Sequence, residues 1–223
     1  MKYRHEVKHE IGLGELVTLR SRLRAVAKPD AHAEGGRYVI RSLYFDNADD
    51  KALREKLDGV NCREKFRIRY YNDDRSFIRL EKKSKLNGLC SKQSATLTEN
   101  QVQRLLDGEL SWMAESDDAL ILELHRKMRL EGLAPKAVVS YTREPFVFAA
   151  GNVRVTLDYG IRTSLVCRDF LKPEQLSVPA GQNDIILEVK WDEFLPDIIR
   201  DAVQLKGCRA GAFSKYAAAR IYG

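Results

Sequence analysis

The chain of 223 residues is 44% hydrophobic and 31% charged, with a formal net charge of +6 and a pI near 9.1. No stretch approaches the ~20 apolar residues needed to span a bilayer, and Met1-Lys2-Tyr3-Arg4-His5-Glu6 lacks an apolar signal region, so a membrane span and a secretory leader are both excluded as expectations. Cys62, Cys90, Cys167 and Cys208 are scattered without a Cys-x-x-Cys pair, which fits a reduced, cytoplasmic protein. The hydrophobic share supports a sizeable core, and no Pro/Gly/Ser-rich linker divides the halves, so one domain over 1–223 is expected. The basic excess favours anionic partners without saying which.

Period-two alternation opens the chain at 2–10, where Arg4, Glu6 and Lys8 share a face. After Gly14 the apolar stripe Leu16, Leu19, Leu23 and Val26 predicts a helix. Strands are expected at 37–46 and at 62–72, the latter with Lys65, Arg67 and Arg69 backed by Phe66, Ile68 and Tyr70. Asn72-Asp73-Asp74-Arg75 reads as a tight turn into strand 76–84, where Arg79, Glu81 and Lys83 oppose Ile78 and Leu80. Asn87-Gly88 is a hairpin signal before strand 89–97, which carries Lys92.

Thr98-x-x-Gln101 is a capping box for a short helix through Leu106, stopped by Gly108. Ser116 is expected to cap a longer helix through Arg129, ended by Gly132. Strands follow at 136–148 with Arg143, at 152–159 with Arg154, Thr156 and Asp158 against Val153, Val155 and Leu157, and at 184–191 with Glu188 and Lys190 against Leu187, Val189 and Trp191. Pro196 suits the first turn of a helix through Leu205, and the tail from Ala212 to Tyr222 is helical in character. Strands dominate, so the class is α+β with a mainly antiparallel sheet.

The polar face of these strands is unusual. It carries eleven bases (Arg4, Lys8, Lys65, Arg67, Arg69, Arg79, Lys83, Lys92, Arg143, Arg154 and Lys190) against Glu6, Glu81, Asp158 and Glu188, a net +7. Such faces are ordinarily solvated exteriors. Repetition over seven strands points instead to the concave side of a curved sheet or barrel, with helices covering the apolar side. Desolvating like charges costs several kcal/mol per ion, roughly, so this surface makes sense if it stays wet and holds an anion. A narrow cationic tunnel selects a thin, multiply charged chain. Carboxylates belong in a phosphate site when a cation bridges the two, and Mg²⁺ or Mn²⁺ takes one or two carboxylates plus phosphate oxygens. Glu188, on an apolar strand, is the first candidate ligand, with Glu6 and Glu81 next; pairing with neighbouring Arg and Lys is the alternative, equally weighted for Glu81.

Arg4-x-Glu6-x-Lys8, Ser42-Leu43-Tyr44-Phe45-Asp46, Arg67-Ile68-Arg69-Tyr70-Tyr71, Leu80-Glu81-Lys82-Lys83, Arg143, Arg154-Val155-Thr156-Leu157-Asp158, Leu187-Glu188-Val189-Lys190 and Ser214-Lys215-Tyr216 run in order along nearly the whole chain. Together they resemble the polyphosphate polymerase domain of the vacuolar transporter chaperone family, one of the triphosphate tunnel metalloenzymes. The resemblance implies an eight-stranded closed antiparallel β-barrel with helices packed outside, building polyphosphate from ATP with Mn²⁺ or Mg²⁺. It implies phosphate contacts from Lys8, Arg67, Arg69, Lys83, Lys92, Arg143, Arg154, Ser214 and Lys215, and metal binding by Glu188. The related adenylate cyclase and thiamine triphosphatase branch opens with Glu-x-Glu-x-Lys; Arg4 in place of the first Glu favours the polymerase branch. The phosphate-sensing domain and membrane segment of the eukaryotic polymerases are not seen, which leaves any export to a separate membrane partner.

On this reading Arg67, Arg69, Arg143 and Arg154 place charge on the transferred phosphoryl group. Arg4, Lys8, Lys65, Arg79, Lys83, Lys92, Lys190, Ser214 and Lys215 bind phosphates. The partners are ATP and inorganic phosphate or polyphosphate, with no nucleic acid: a stacking platform needs exposed aromatics, and of Tyr70 and Tyr71, which could serve, Tyr70 points to the apolar side. A triphosphate or polyphosphate hydrolase and a non-catalytic polyphosphate-binding module stay open. His5-Glu6-Val7-Lys8-His9 spells a zinc-protease pattern, but on a strand its histidines lie about 13 Å apart, too far to share one zinc.

Overall fold

Side-chain alternation resolves into one curled sheet in the computed structural model, which describes residues 4–86, 89–181, 184–205, 211 and 213–222. Its strands are β1 (His5–Ile11), β2 (Lys28–Pro29), β3 (Tyr38–Asp46), β4 (Cys62–Tyr71), β5 (Asp74–Leu86), β6 (Leu89–Leu97), β7 (Ala134–Phe148), β8 (Val153–Ser164), β9 (Val178–Pro179) and β10 (Ile185–Trp191). The helices are α1 (Leu13–Val26), α2 (Lys51–Leu57), α3 (Glu99–Leu106), α4 (Ser111–Ala114), α5 (Ala119–Leu130), α6 (Asp197–Val203) and α7 (Lys215–Tyr222). The main path runs β1-β10-β8-β7-β3-β4-β5-β6, all antiparallel, with β2 added to β7 and β9 to β8. Tyr71 pairs with Asp74, so the expected turn narrows to Asn72 and Asp73, both with φ above +20° (50° and 56°). Two such residues match the twist of the flanking strands.

Closure is the point where the structure departs from the expected barrel. β1 and β6 end the path, and a single backbone bridge, Arg4 to Cys90, joins them among the described residues. The sheet is a strongly curled, open half-barrel. Long charged side chains span the seam where a ladder would otherwise run, with the Lys83 ammonium 2.8 Å from Glu6.

Two apolar layers clamp the convex side. Helices α3, α4 and α5 bring Val102, Leu105, Met113, Leu120 and Leu124 against Phe66, Ile68, Tyr70, Ile78 and Leu80. Helices α1 and α6 bring Leu16, Leu19, Leu23 and Ile199 against Val155, Leu157, Leu187 and Val189. Helix α7 does not join them. Its Tyr216 and Ala219 pack with Tyr44, Ala137, Tyr141, Ile161 and Ile186, on the concave face.

Several boundaries move for local reasons. Asp118, not Ser116, caps α5 by accepting from Leu120 N (2.8 Å), while Ser116 Oγ accepts from Asp118 N (3.2 Å). Strand β8 continues past 159 to Ser164 because Gly160, at φ 61°, absorbs a register shift that breaks the alternation. Helix α6 stops at Val203, short of Leu205. Helices α2 and α4 are too short to show an apolar stripe in sequence. Asn87-Gly88 and Cys208 lie outside the described residues.

Helix α2 is positioned by Asp46, which is fully buried and accepts from Asn47 N (2.9 Å), Ala52 N (2.8 Å), Leu53 N (3.1 Å) and Tyr216 Oη (2.7 Å). This carboxylate ties β3, α2 and α7 together. Removing it strands several buried donors at roughly 1–3 kcal/mol each. Asp46→Ala should therefore lower unfolding stability by at least about 2 kcal/mol in urea titrations; a loss of a few tenths would show the hub to be dispensable.

Candidate functional site: a cationic bore

The pairing register sends alternate side chains to the concave face. It sets Glu6 beside Lys190, Lys8 beside Glu188, Asp158 beside Arg143, Arg67 beside Glu81 and Lys83 beside Lys92. Three ionic clusters result. In the first, Lys8 Nζ lies 3.3 Å from Glu6 and 3.2 Å from Glu188, and Lys190 Nζ lies 3.5 Å and 2.8 Å from the same two carboxylates. In the second, Asp158 receives both arms of Arg143 (2.6 and 2.7 Å) and Lys215 Nζ (2.6 Å), with Arg143 reaching Glu188 at 3.6 Å. In the third, Glu81 binds Arg67 (2.8 Å), Arg69 (2.9 Å) and Lys92 (2.5 Å).

Burial raises the carboxyl pKa at Glu6, but Lys8, Lys190 and Lys83 outweigh it and hold the group down at about 2. The same contest leaves Glu188 well below the carboxylate range through Lys190, Lys8 and Arg143, and lowers Asp158 through Arg143 and Lys215. Burial likewise opposes Glu81, whose pKa is lowered by Arg67 and Lys92. All four are anions at neutral pH.

The rims are built differently. Arg154 pairs with Asp30 and donates to Tyr38 Oη (3.0 Å). Arg79 donates to Thr96 Oγ1 (2.6 Å) and Ser94 Oγ (2.9 Å). Arg4 lies 2.8 Å from Asp192 and donates to the Asn152 carbonyl, so it belongs to the mouth and not the centre. At the α7 end, Lys65 Nζ is 3.5 Å from Ser214 Oγ, and Ser214 Oγ accepts from Ala217 N (3.3 Å) in the first turn of the helix. Burial, then Lys56 and Arg63, push Lys65 down to about 8.

Every site residue expected from sequence therefore reaches the concave face or its rims. Sequence reasoning missed Tyr44, Tyr71 and Tyr141, whose hydroxyls or rings meet Arg67 (3.3 Å), Arg69 (2.9 Å) and Arg143 (5.5 Å). Tyr71 has the parity of Arg67 and Arg69, so alternation could have found it; Asp30, outside the eight expected strands, gave no such signal. Also missed were Lys56, Arg63 and Lys85, cations at the Lys65 end that enter the charge balance of the bore. His5 stacks on Trp191 at 5.3 Å, and both histidines lie on the face of β1 opposite Glu6, as a strand requires.

Among the described residues no three His, Cys, Asp or Glu side chains converge on one cation position. Glu6 and Glu188 nonetheless form a matched pair, since the same two ammonium groups bridge them. Two hard carboxylates fit Mg²⁺ or Mn²⁺ that completes its shell with phosphate oxygens. Glu81 fits less well, because none of its three cations, Arg67, Arg69 and Lys92, is shared with a second carboxylate among the described residues.

Curated protein sequences contain no significant match. Among solved structures, a candidate adenylate cyclase from Bacillus halodurans aligns over 85% of this chain and 80% of its own, with a TM-score of 0.52 at 17% identity, which shows a shared fold. Two Pyrococcus horikoshii proteins align with TM-scores of 0.45 and 0.47 at 14% and 12% identity, covering 90% and 92% of this chain and 84% and 92% of their own. No helix of the described residues is long and apolar enough to cross a membrane. The VTC domain profile matches residues 3–222, and the chain belongs to the VTC domain family, which ties it to polyphosphate or triphosphate chemistry.

Proposed function

We propose that the bore transfers the γ-phosphoryl group of ATP to phosphate or to a growing polyphosphate chain, with Mg²⁺ or Mn²⁺. The observation that carries this reading is the net positive charge gathered on one concave face, with each arginine fork held by a carboxylate or hydroxyl partner. In-line phosphoryl transfer asks mainly for positioning and for positive charge on the equatorial oxygens. Arg67 and Arg69, braced by Glu81, and Arg143, braced by Asp158, meet that demand without reorganising. Arg154 and Arg79 extend the line of charge towards one mouth, and Lys65, Ser214 and Lys215 towards the other. Glu6 and Glu188 would hold the divalent cation, which would supply positive charge to offset that of the phosphates. Lys8 and Lys190, which pair with those carboxylates, would contact the phosphates, with Lys83 and Lys92 beside them. No side-chain nucleophile is needed. The work falls where ATP is supplied, in the cytoplasm, and a separate membrane partner would move any product.

Protein incubated with ATP and Mn²⁺, with products resolved on a polyphosphate-detecting gel, should give a ladder. Free phosphate alone would assign a hydrolase, and neither product would leave a binding module. Preorganised cationic donors are worth about 2.7–4 kcal/mol each, by analogy with oxyanion-hole donors. Arg67→Ala and Arg69→Ala should each lower turnover about a hundredfold or more; near-normal rates in both would remove them from the mechanism.

Lys65 adds a pH signature. Bound polyanion favours its charged form, so the bound pKa exceeds the free value of about 8. Affinity should be full below pH 8 and decline as the pH rises through that value. In Lys65→Arg this decline should vanish, because arginine stays charged. An identical pH profile in the variant would show that another group titrates.

A further inference from the structure

Phe77 is out of place on its strand. Alternation sets it on the same face of β5 as Arg79, Glu81 and Lys83, a face otherwise built from charge, yet its apolar ring is 50% exposed. The Arg79 guanidinium lies over that ring, 5.5 Å from its centroid. The guanidinium is fixed by the hydroxyls of Thr96 and Ser94 and, unlike Arg67, Arg69 and Arg143, forms no ion pair with a carboxylate among the described residues. A positioned cation and an exposed aromatic face therefore stand together.

Their place along the bore matters as much. Phe77 is four residues from Glu81, about 13 Å along the strand. It lies at the β4–β5 hairpin end, away from Lys65 and Ser214, where α7 packs against β7 and β8. A group esterified to a triphosphate seated among Arg67, Arg69 and Arg143 would meet this ring and cation on leaving the bore by this end. A nucleobase has a flat π-face that an exposed ring and a guanidinium recognise without reading its edge. Inorganic triphosphate has no such group.

Resting on the triphosphate-binding reading above, we propose that Phe77 and the Arg79 guanidinium stacked on it form the nucleobase platform of the donor. The bore thus takes a nucleoside triphosphate with its base at the β4–β5 end and its phosphates directed towards α7.

Titration calorimetry with ATP and with inorganic tripolyphosphate, both in Mg²⁺, tests this on the full chain. Base–aromatic stacking predicts that Phe77→Ala weakens ATP binding about five- to a hundredfold while changing tripolyphosphate binding less than about twofold. Phe77→Trp, which keeps a ring, should restore ATP affinity. Equal losses for both anions, or an unchanged ATP affinity in Phe77→Ala, would overturn the platform while leaving the phosphate site intact. Wild-type protein that binds tripolyphosphate but not ATP would overturn it too. Wild-type protein that binds neither anion would overturn the phosphate reading itself, an outcome separable from the others.

Discussion

The structure turns on one electrostatic constraint: a crowd of cations facing one another in a partly enclosed space must be kept charged and kept apart. Their removal from water costs several kcal/mol per ion, roughly, and their mutual repulsion adds to it. Four inward carboxylates answer part of that cost. Glu188 and Asp158 are almost wholly buried and each meets more than one base, and Glu81 meets three. The remaining positive excess is what the proposed function assigns to a polyanion. The same carboxylates fix the arginine forks, so charge is already oriented when a phosphate arrives.

This arrangement needs a sheet that cannot slip. A shift of one residue in any strand would send its bases outward and its apolar residues into the bore. The two convex cores prevent that, because Ile68, Leu80, Leu157 and Leu187 are fully buried and can be so in a single register. Helix α7 adds a lock from the concave side. Tyr216 stacks on Tyr44 at 5.4 Å and donates to Asp46, while the adjacent Lys215 reaches Asp158. One short helix thereby links the packing of β3 to the charge balance of β8.

The open seam fits the same logic. Edge strands with free backbone groups invite pairing with other chains. Here Lys83 reaches across to Glu6, and the Lys8 and Lys190 ammoniums crowd behind it. Charged side chains at an edge discourage another strand from adding.

Alternation is a local property, so the eight long strands and the inward parity of Arg67, Arg69, Arg143, Arg154 and Glu188 could be read from the chain alone. The capping box at Thr98 and the turn at Asn72 were legible for the same reason, since their chemistry lies within four residues. Partnership was not legible. That Glu6 and Glu188 share Lys8 and Lys190, that Glu81 braces two arginines, and that Asp30 pairs with Arg154 are facts of strands brought together from distant parts of the chain. Nor could sequence decide closure or the side on which α7 lies. Both depend on curvature and long-range register, which are summed over the whole sheet and written in no single segment.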